Sequence, residues 1–139
     1  MAQTSAAVQA NEWVPAVLTE YEVGRAIWAA EIVARSEKPI AEVGTRSIGP
    51  QDALESDLRE CLKLVRDSDD VRFWTRPAGE TRVRYGFYRE RWVLQALDFL
   101  DGADLASADR AWISGLLFGY RSDAIQRFID RSAPRPTGL

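Results

Sequence analysis

The densest interaction chemistry in this sequence lies between residues 72 and 92. There Arg72, Arg76, Arg82, Arg84, Arg89 and Arg91 interleave with Phe73, Trp74, Tyr85, Phe87, Tyr88 and Trp92. Arginine and tryptophan each combine a large contact area with directed polar groups, which makes them common anchors of protein interfaces. The same mixture suits single-stranded nucleic acid, where bases stack on rings and guanidinium groups take phosphate. If VRFWT and TRVRY pair as a β-hairpin, Arg72, Trp74, Arg82 and Arg84 share its outward face. These four are the expected partner-binding residues, and an acidic protein surface is the expected partner. The competing assignment is structural: the arginines pair with the chain's own acids, such as Glu55, Asp57 and Asp67, and Trp74 is partly covered.

Much other chemistry is missing. The chain has no histidine and a single cysteine. Histidine-based triads, general bases and metal clusters are therefore unavailable. Cys61 falls on the apolar face of a helical segment, where a thiol acts as a small inert hydrophobe. The acid run Asp67, Asp69, Asp70 lacks the turn glycine and closing glutamate of a calcium loop. There is no glycine-rich phosphate loop. No catalytic residue, metal ligand or cofactor is expected. An enzyme working through paired carboxylates alone is carried as a third class of function.

A second constellation lies near the C-terminus. In WISGLLFGYRSDAIQRFI, Gly115 is followed by Gly119, then by Ile125 and Phe128. This spacing resembles the DNA-reading helix-turn-helix. There a small residue lets two helices approach, a glycine makes the turn, and apolar residues pin the second helix. The resemblance covers about twenty residues and implies a nucleic-acid-binding regulator, with Arg121, Ser122, Gln126 and Arg127 near the nucleic acid. Asp123 at the helix start opposes that function by repelling phosphate.

The elements that position these residues follow from periodicity. A first helix is expected from Pro15 to Arg35, with Val17, Tyr21, Gly24, Trp28 and Ile32 as its apolar stripe. Thr19 and Glu22 have capping-box spacing, an alternative start. Glu31 and Arg35 are placed for an i,i+4 pair. Residues 36–49, with Pro39, Gly44 and Gly49, read as a loop. A second helix starts at Pro50 and gathers Leu54, Leu58, Cys61, Leu62 and Val65 on one face. The hairpin follows, with a five-residue loop from Arg76 to Glu80 that sets Phe73 opposite Val83 and Thr75 opposite Thr81. A backward extension of the third helix to Thr81 competes with it. The third helix spans Phe87 to Asp101, with Leu94, Leu97 and Leu100 inward and Gly102 after it. Ser107 and Ser122 cap a fourth helix through Phe118 and a fifth over residues 123–132. Trp28, Trp92 and Trp112 are expected in the core, with Trp13 the most exposed tryptophan.

The predicted fold is therefore mainly α: a small single domain of four to five helices, with a two-stranded β-hairpin as a minor α+β element. It occupies residues 12–132, between a flexible lead at 1–11 and a disordered tail at 133–139. The length of 139 residues suits one domain. The apolar runs fall far short of the roughly 20 residues that span a bilayer, so no membrane partner is expected. The lone cysteine and the lack of a visible signal peptide point to the cytoplasm. Residues 1–70 carry seven Lys and Arg against thirteen acids, whereas residues 71–139 carry eleven Arg against eight. An acidic half meeting the basic half of a second copy makes a homodimer a further expectation.

Overall fold

The computed structural model describes residues 13–132, and the expected flexible lead and disordered tail lie outside them. The described residues form five helices and one three-stranded antiparallel sheet, a helix-rich α+β chain. They fall into two compact units that meet in sequence at Arg89 and Glu90.

The first unit holds α1 (Glu20–Ala34), β1 (Ile40–Ser47), α2 (Gln51–Lys63), β2 (Arg72–Pro77) and β3 (Arg82–Tyr88). The strands lie in the order β1-β3-β2. Helices α1 and α2 pack against the sheet, around a core that includes Ala26, Ala29, Ala30, Val33, Leu54, Leu58, Cys61, Val71, Tyr85 and Phe87.

The capping-box start of α1 prevails over Pro15. Glu22 N donates to Thr19 Oγ1 and Thr19 N donates back to Glu22 Oε1, both at 3.1 Å. The helix therefore begins at Glu20. The chain before it is pinned from α2 instead. The buried Asp57 carboxylate accepts hydrogen bonds from the backbone N–H groups of Ala16, Val17 and Leu18, at 2.8, 2.8 and 3.0 Å. At the other end of α1, Ser36 takes φ +60°, and Arg89 braces this turn through Ser36 Oγ and Ala34 O at 2.7 and 3.0 Å.

Two expectations need correction. Residues 36–49 are not all loop, because residues 40–47 form β1. A bulge at Val43, between Glu42 opposite Gly86 and Gly44 opposite Tyr85, breaks the two-residue alternation that would mark a strand. The hairpin exists, so the third helix does not extend back to Thr81, but its register differs. Thr75 faces Tyr85 and Pro77 faces Val83, and residues 78–81 connect the two strands. The partner of Thr75 has moved from position 81 to 85, an even step, so the two faces keep their expected membership. The observed register sets Phe73 against Phe87 and Trp74 against Gly86. A Cβ at Gly86 would run into the Ala41 carbonyl oxygen and lie 2.9 Å from Trp74 Nε1. Glycine there permits the close strand approach.

The second unit holds α3 (Arg91–Gly102), α4 (Ser107–Leu117) and α5 (Ser122–Ser132). Phe87 belongs to β3, not α3, and Gly102 is the last helical residue, with Ala103 as its cap. Val93, Leu97 and Leu100 are buried. Arg110 of α4 donates to Leu100 O, and to Ala103 O at 2.5 Å, satisfying the open carbonyls at the end of α3. Ser107 opens α4 without making a side-chain cap.

Candidate protein-binding surface

The even-numbered face of the hairpin does bring Arg72, Trp74, Arg82 and Arg84 to one side of the sheet, but the fold already employs them. Trp74 is only 2% exposed, so it offers no free ring to a partner. The Arg84 guanidinium lies 5.5 Å from the Trp74 ring centroid, and its Nε donates to Glu42 Oε1 at 2.6 Å. Arg82 donates to Thr45 Oγ1 at 3.2 Å, and Arg72 to Asp69 O at 2.8 Å. Both of these arginines remain exposed. The acids used are not those expected from sequence: Glu42 sits on β1, the strand read as loop, and Asp57 serves backbone N–H groups.

The α4–α5 corner has the expected steric form. A Cβ at Gly115 would lie 2.6 Å from Ile125 Cγ1, so glycine lets the two helices touch. Gly119 takes φ +79°, and Tyr120 N returns to Gly115 O at 2.8 Å, closing α4 with a left-handed turn. The charges are arranged less favourably for nucleic acid. Asp123 lies 3.3 Å from Arg121 Nε and 3.7 Å from an Arg127 terminal nitrogen, while Gln126 donates to Asp130 at 2.9 Å. Ser122 begins α5. A groove of about 430 Å³ between α4 and α5 is lined in part by Tyr120, Phe128 and Arg131.

The tryptophans are distributed against expectation. Trp28 and Trp92 are exposed, Trp112 is half-buried, and Trp13 packs against the core. On α1 the cause is a choice between two apolar stripes. The row of Ala26, Ala29, Ala30 and Val33 is buried, because small side chains let the helix lie close to the sheet. The row of Tyr21, Gly24 and Trp28 is left outside. Tyr21 is 72% exposed and Trp28 56%. Arg25 lies between them, donating from Nε to Val43 O at 2.8 Å and from a terminal nitrogen to Tyr21 Oη at 3.2 Å. Its guanidinium also sits 5.7 Å from the Tyr21 ring centroid. Glu20, Tyr21, Gly24, Arg25 and Trp28 line a shallow depression of about 450 Å³. Sequence reasoning assigned Tyr21 and Trp28 to the core. The signal that separates the stripes is Arg25 in the middle of the aromatic row.

Burial pushes the Cys61 thiol up to about 12, with Asp57 and Glu60 adding to the effect. Burial opposes ionisation of Glu22, but the Tyr85 hydroxyl, the Thr19 N–H and Arg46 together hold its carboxyl below the usual range. Among the described residues no cluster of three or more Cys, Asp or Glu is placed to hold a metal ion, and no helix is long and apolar enough to cross a membrane. Comparison with known proteins finds no matching family model, no matching curated protein and no matching solved structure.

Proposed function

We propose that this chain is a non-enzymatic, cytoplasmic protein-binding module whose docking surface is the outer face of α1. The observation that carries this reading is the exposure of Tyr21, Arg25 and Trp28 along one helical row. Tyr, Trp and Arg are the residue types most enriched where truncation weakens binding most. Arg25 is held in place by two hydrogen bonds, which reduces the entropy lost when a partner docks. Arg72 and Arg82 are exposed on the opposite face of the sheet from α1 and lie outside this surface.

The steric form of the α4–α5 corner favours a second reading, nucleic-acid binding. Its arginines answer to Asp123, and the groove beside them presents Tyr120 and Phe128, so the charge arrangement supports it less.

Affinity capture from the source lysate, with and without nuclease, tests the two. The wild-type chain should retain a stoichiometric protein that survives nuclease, and the Trp28→Glu chain should lose it. Capture that disappears on nuclease treatment would favour the corner. Protein capture unchanged by Trp28→Glu would remove α1 as the surface.

A further inference from the structure

We infer that the outer edge of β1 takes an extended segment of a partner protein as a fourth strand; this names the form of the partner and rests on the protein-binding reading above. With the order β1-β3-β2, β1 is an edge of the sheet. Its register fixes which backbone groups face outward. Ile48 N donates to Thr81 O at 2.9 Å, and the pairs Arg46–Val83 and Gly44–Tyr85 continue that ladder in steps of two. Thr45 and Ser47 therefore turn their N–H and C=O groups away from β3. Both residues are exposed, and among the described residues those four groups have no partner. Two donors and two acceptors at strand spacing are a template on which another strand pairs.

The other edge of the sheet is treated differently. By the same count from Ala78 N, which donates to Arg82 O, the outward residues of β2 are Phe73, Thr75 and Pro77. Pro77 has no N–H to offer, and Arg76 donates from a terminal nitrogen to Thr75 O at 2.8 Å. On β1, Arg25 closes the Val43 carbonyl at 2.8 Å, and the outer side of residues 44–48 stays open beyond it. The surroundings define what a fourth strand would carry, because its side chains alternate between the two faces of the sheet. On the α1 face stands Tyr21, whose hydroxyl accepts from the same Arg25 at 3.2 Å and so lies close to this edge. Its ring suits an apolar side chain. On the other face Arg82 leans across β1 to Thr45 Oγ1 at 3.2 Å, where its guanidinium can take an acidic side chain. The segment that fits alternates apolar and acidic residues.

A peptide of alternating valine and glutamate, added at millimolar concentration to the full chain, tests this by amide hydrogen exchange. Exchange at Thr45 and Ser47 should slow about tenfold. The same peptide N-methylated along its bonding edge should have no effect. Ser47→Pro gives β1 the closure that Pro77 gives β2 and spares the bonds to β3; it should weaken peptide binding about tenfold. Arg82→Glu should weaken the valine–glutamate peptide and favour one with lysine in place of glutamate. Exchange at Thr45 and Ser47 unaltered by the peptide, or slowed equally by its N-methylated form, would overturn the inference. Exchange already slow in the chain alone and faster on dilution would put a second copy on this edge and overturn it as well. The α1 reading fails separately. Slowed exchange with lysate capture unchanged by Trp28→Glu would uphold the edge and remove the outer face of α1. Unaltered exchange with capture lost in Trp28→Glu would overturn the edge and leave the α1 surface standing.

Discussion

The Tyr85 hydroxyl donates a 2.7 Å hydrogen bond to the Glu22 carboxylate, tying β3 to the first turn of α1. Arg46 of β1 donates to the same oxygen at 3.2 Å and reaches Val17 O at 2.9 Å. One carboxylate therefore joins two strands, the helix start and the segment before it. Hydrogen bonds to a charged group contribute about 1.5–3 kcal/mol each. Tyr85→Phe should lower stability by about 2 kcal/mol in urea unfolding. The pH profile should change too. Glu22 titrates below 4.5 in the folded chain, so its contribution is present above that value and fades as pH falls through the folded value. Burial, then Glu22, raise Tyr85 above 10, so its contribution is full below pH 10 and declines above it. Tyr85→Phe should flatten both limbs. An unchanged profile would contradict this coupling.

Asp57 is the other buried organiser. Its three backbone hydrogen bonds hold residues 16–18 in place ahead of α1. Asp57→Ala leaves three donors without their acceptor and should cost about 3 kcal/mol or more. Asp57→Asn, which keeps one acceptor oxygen, should cost less. Amide hydrogen exchange at Ala16, Val17 and Leu18 should speed up in both variants, more so in the alanine. Unchanged exchange would show that other contacts hold the segment.

Gly115 and Ile125 predict a coupled pair. Gly115→Ala drives a methyl against Ile125 side-chain atoms at 2.6 and 2.7 Å and should cost about 1–3 kcal/mol. In an Ile125→Ala background the clash is gone. The same substitution should then be neutral or stabilising, because alanine favours helix by about 1 kcal/mol. A double-mutant cycle in thermal unfolding reads the coupling. Additive effects would mean the two helices do not touch at this point.

Arg84 shows why charge reversal on the hairpin is a poor probe of binding. Arg84→Glu sets a second carboxylate against Glu42 and removes the cation over the Trp74 ring. It should destabilise by about 1–2 kcal/mol. Arg82→Glu, which gives up an exposed hydrogen bond to Thr45 Oγ1, should be within about 0.5 kcal/mol of wild type. Urea midpoints for the two single variants check the contrast, and equal midpoints would contradict it.

What was legible in the sequence follows from how local each signal is. The Thr19–Glu22 capping box, the α2 face from Leu54 to Cys61 and the Gly115–Gly119 turn are set within a few residues, and each is where its spacing implied. The two faces of the hairpin were legible because alternation survives an even slide. The register was not, since the fit of Trp74 over Gly86 depends on a third strand. That strand was hidden by the bulge at Val43 and by Pro39 and Gly44, which read as loop. On α1 two apolar stripes competed. The larger side chains attracted the core assignment, whereas close helix–sheet packing selected the alanines. The exposure of Tyr21 and Trp28 was hidden for the same reason, because it is decided by which stripe the sheet accepts.

The most direct test of the α1 surface is hydroxyl-radical footprinting of the dilute chain and of its purified complex with whatever it captures. In the dilute chain Tyr21 and Trp28 should be oxidised readily and the buried Trp74 should be protected. In the complex Tyr21 and Trp28 should become protected several-fold while exposed Tyr120 stays reactive. Tyr21 and Trp28 modified equally in both states would contradict the assignment of α1 as the binding surface.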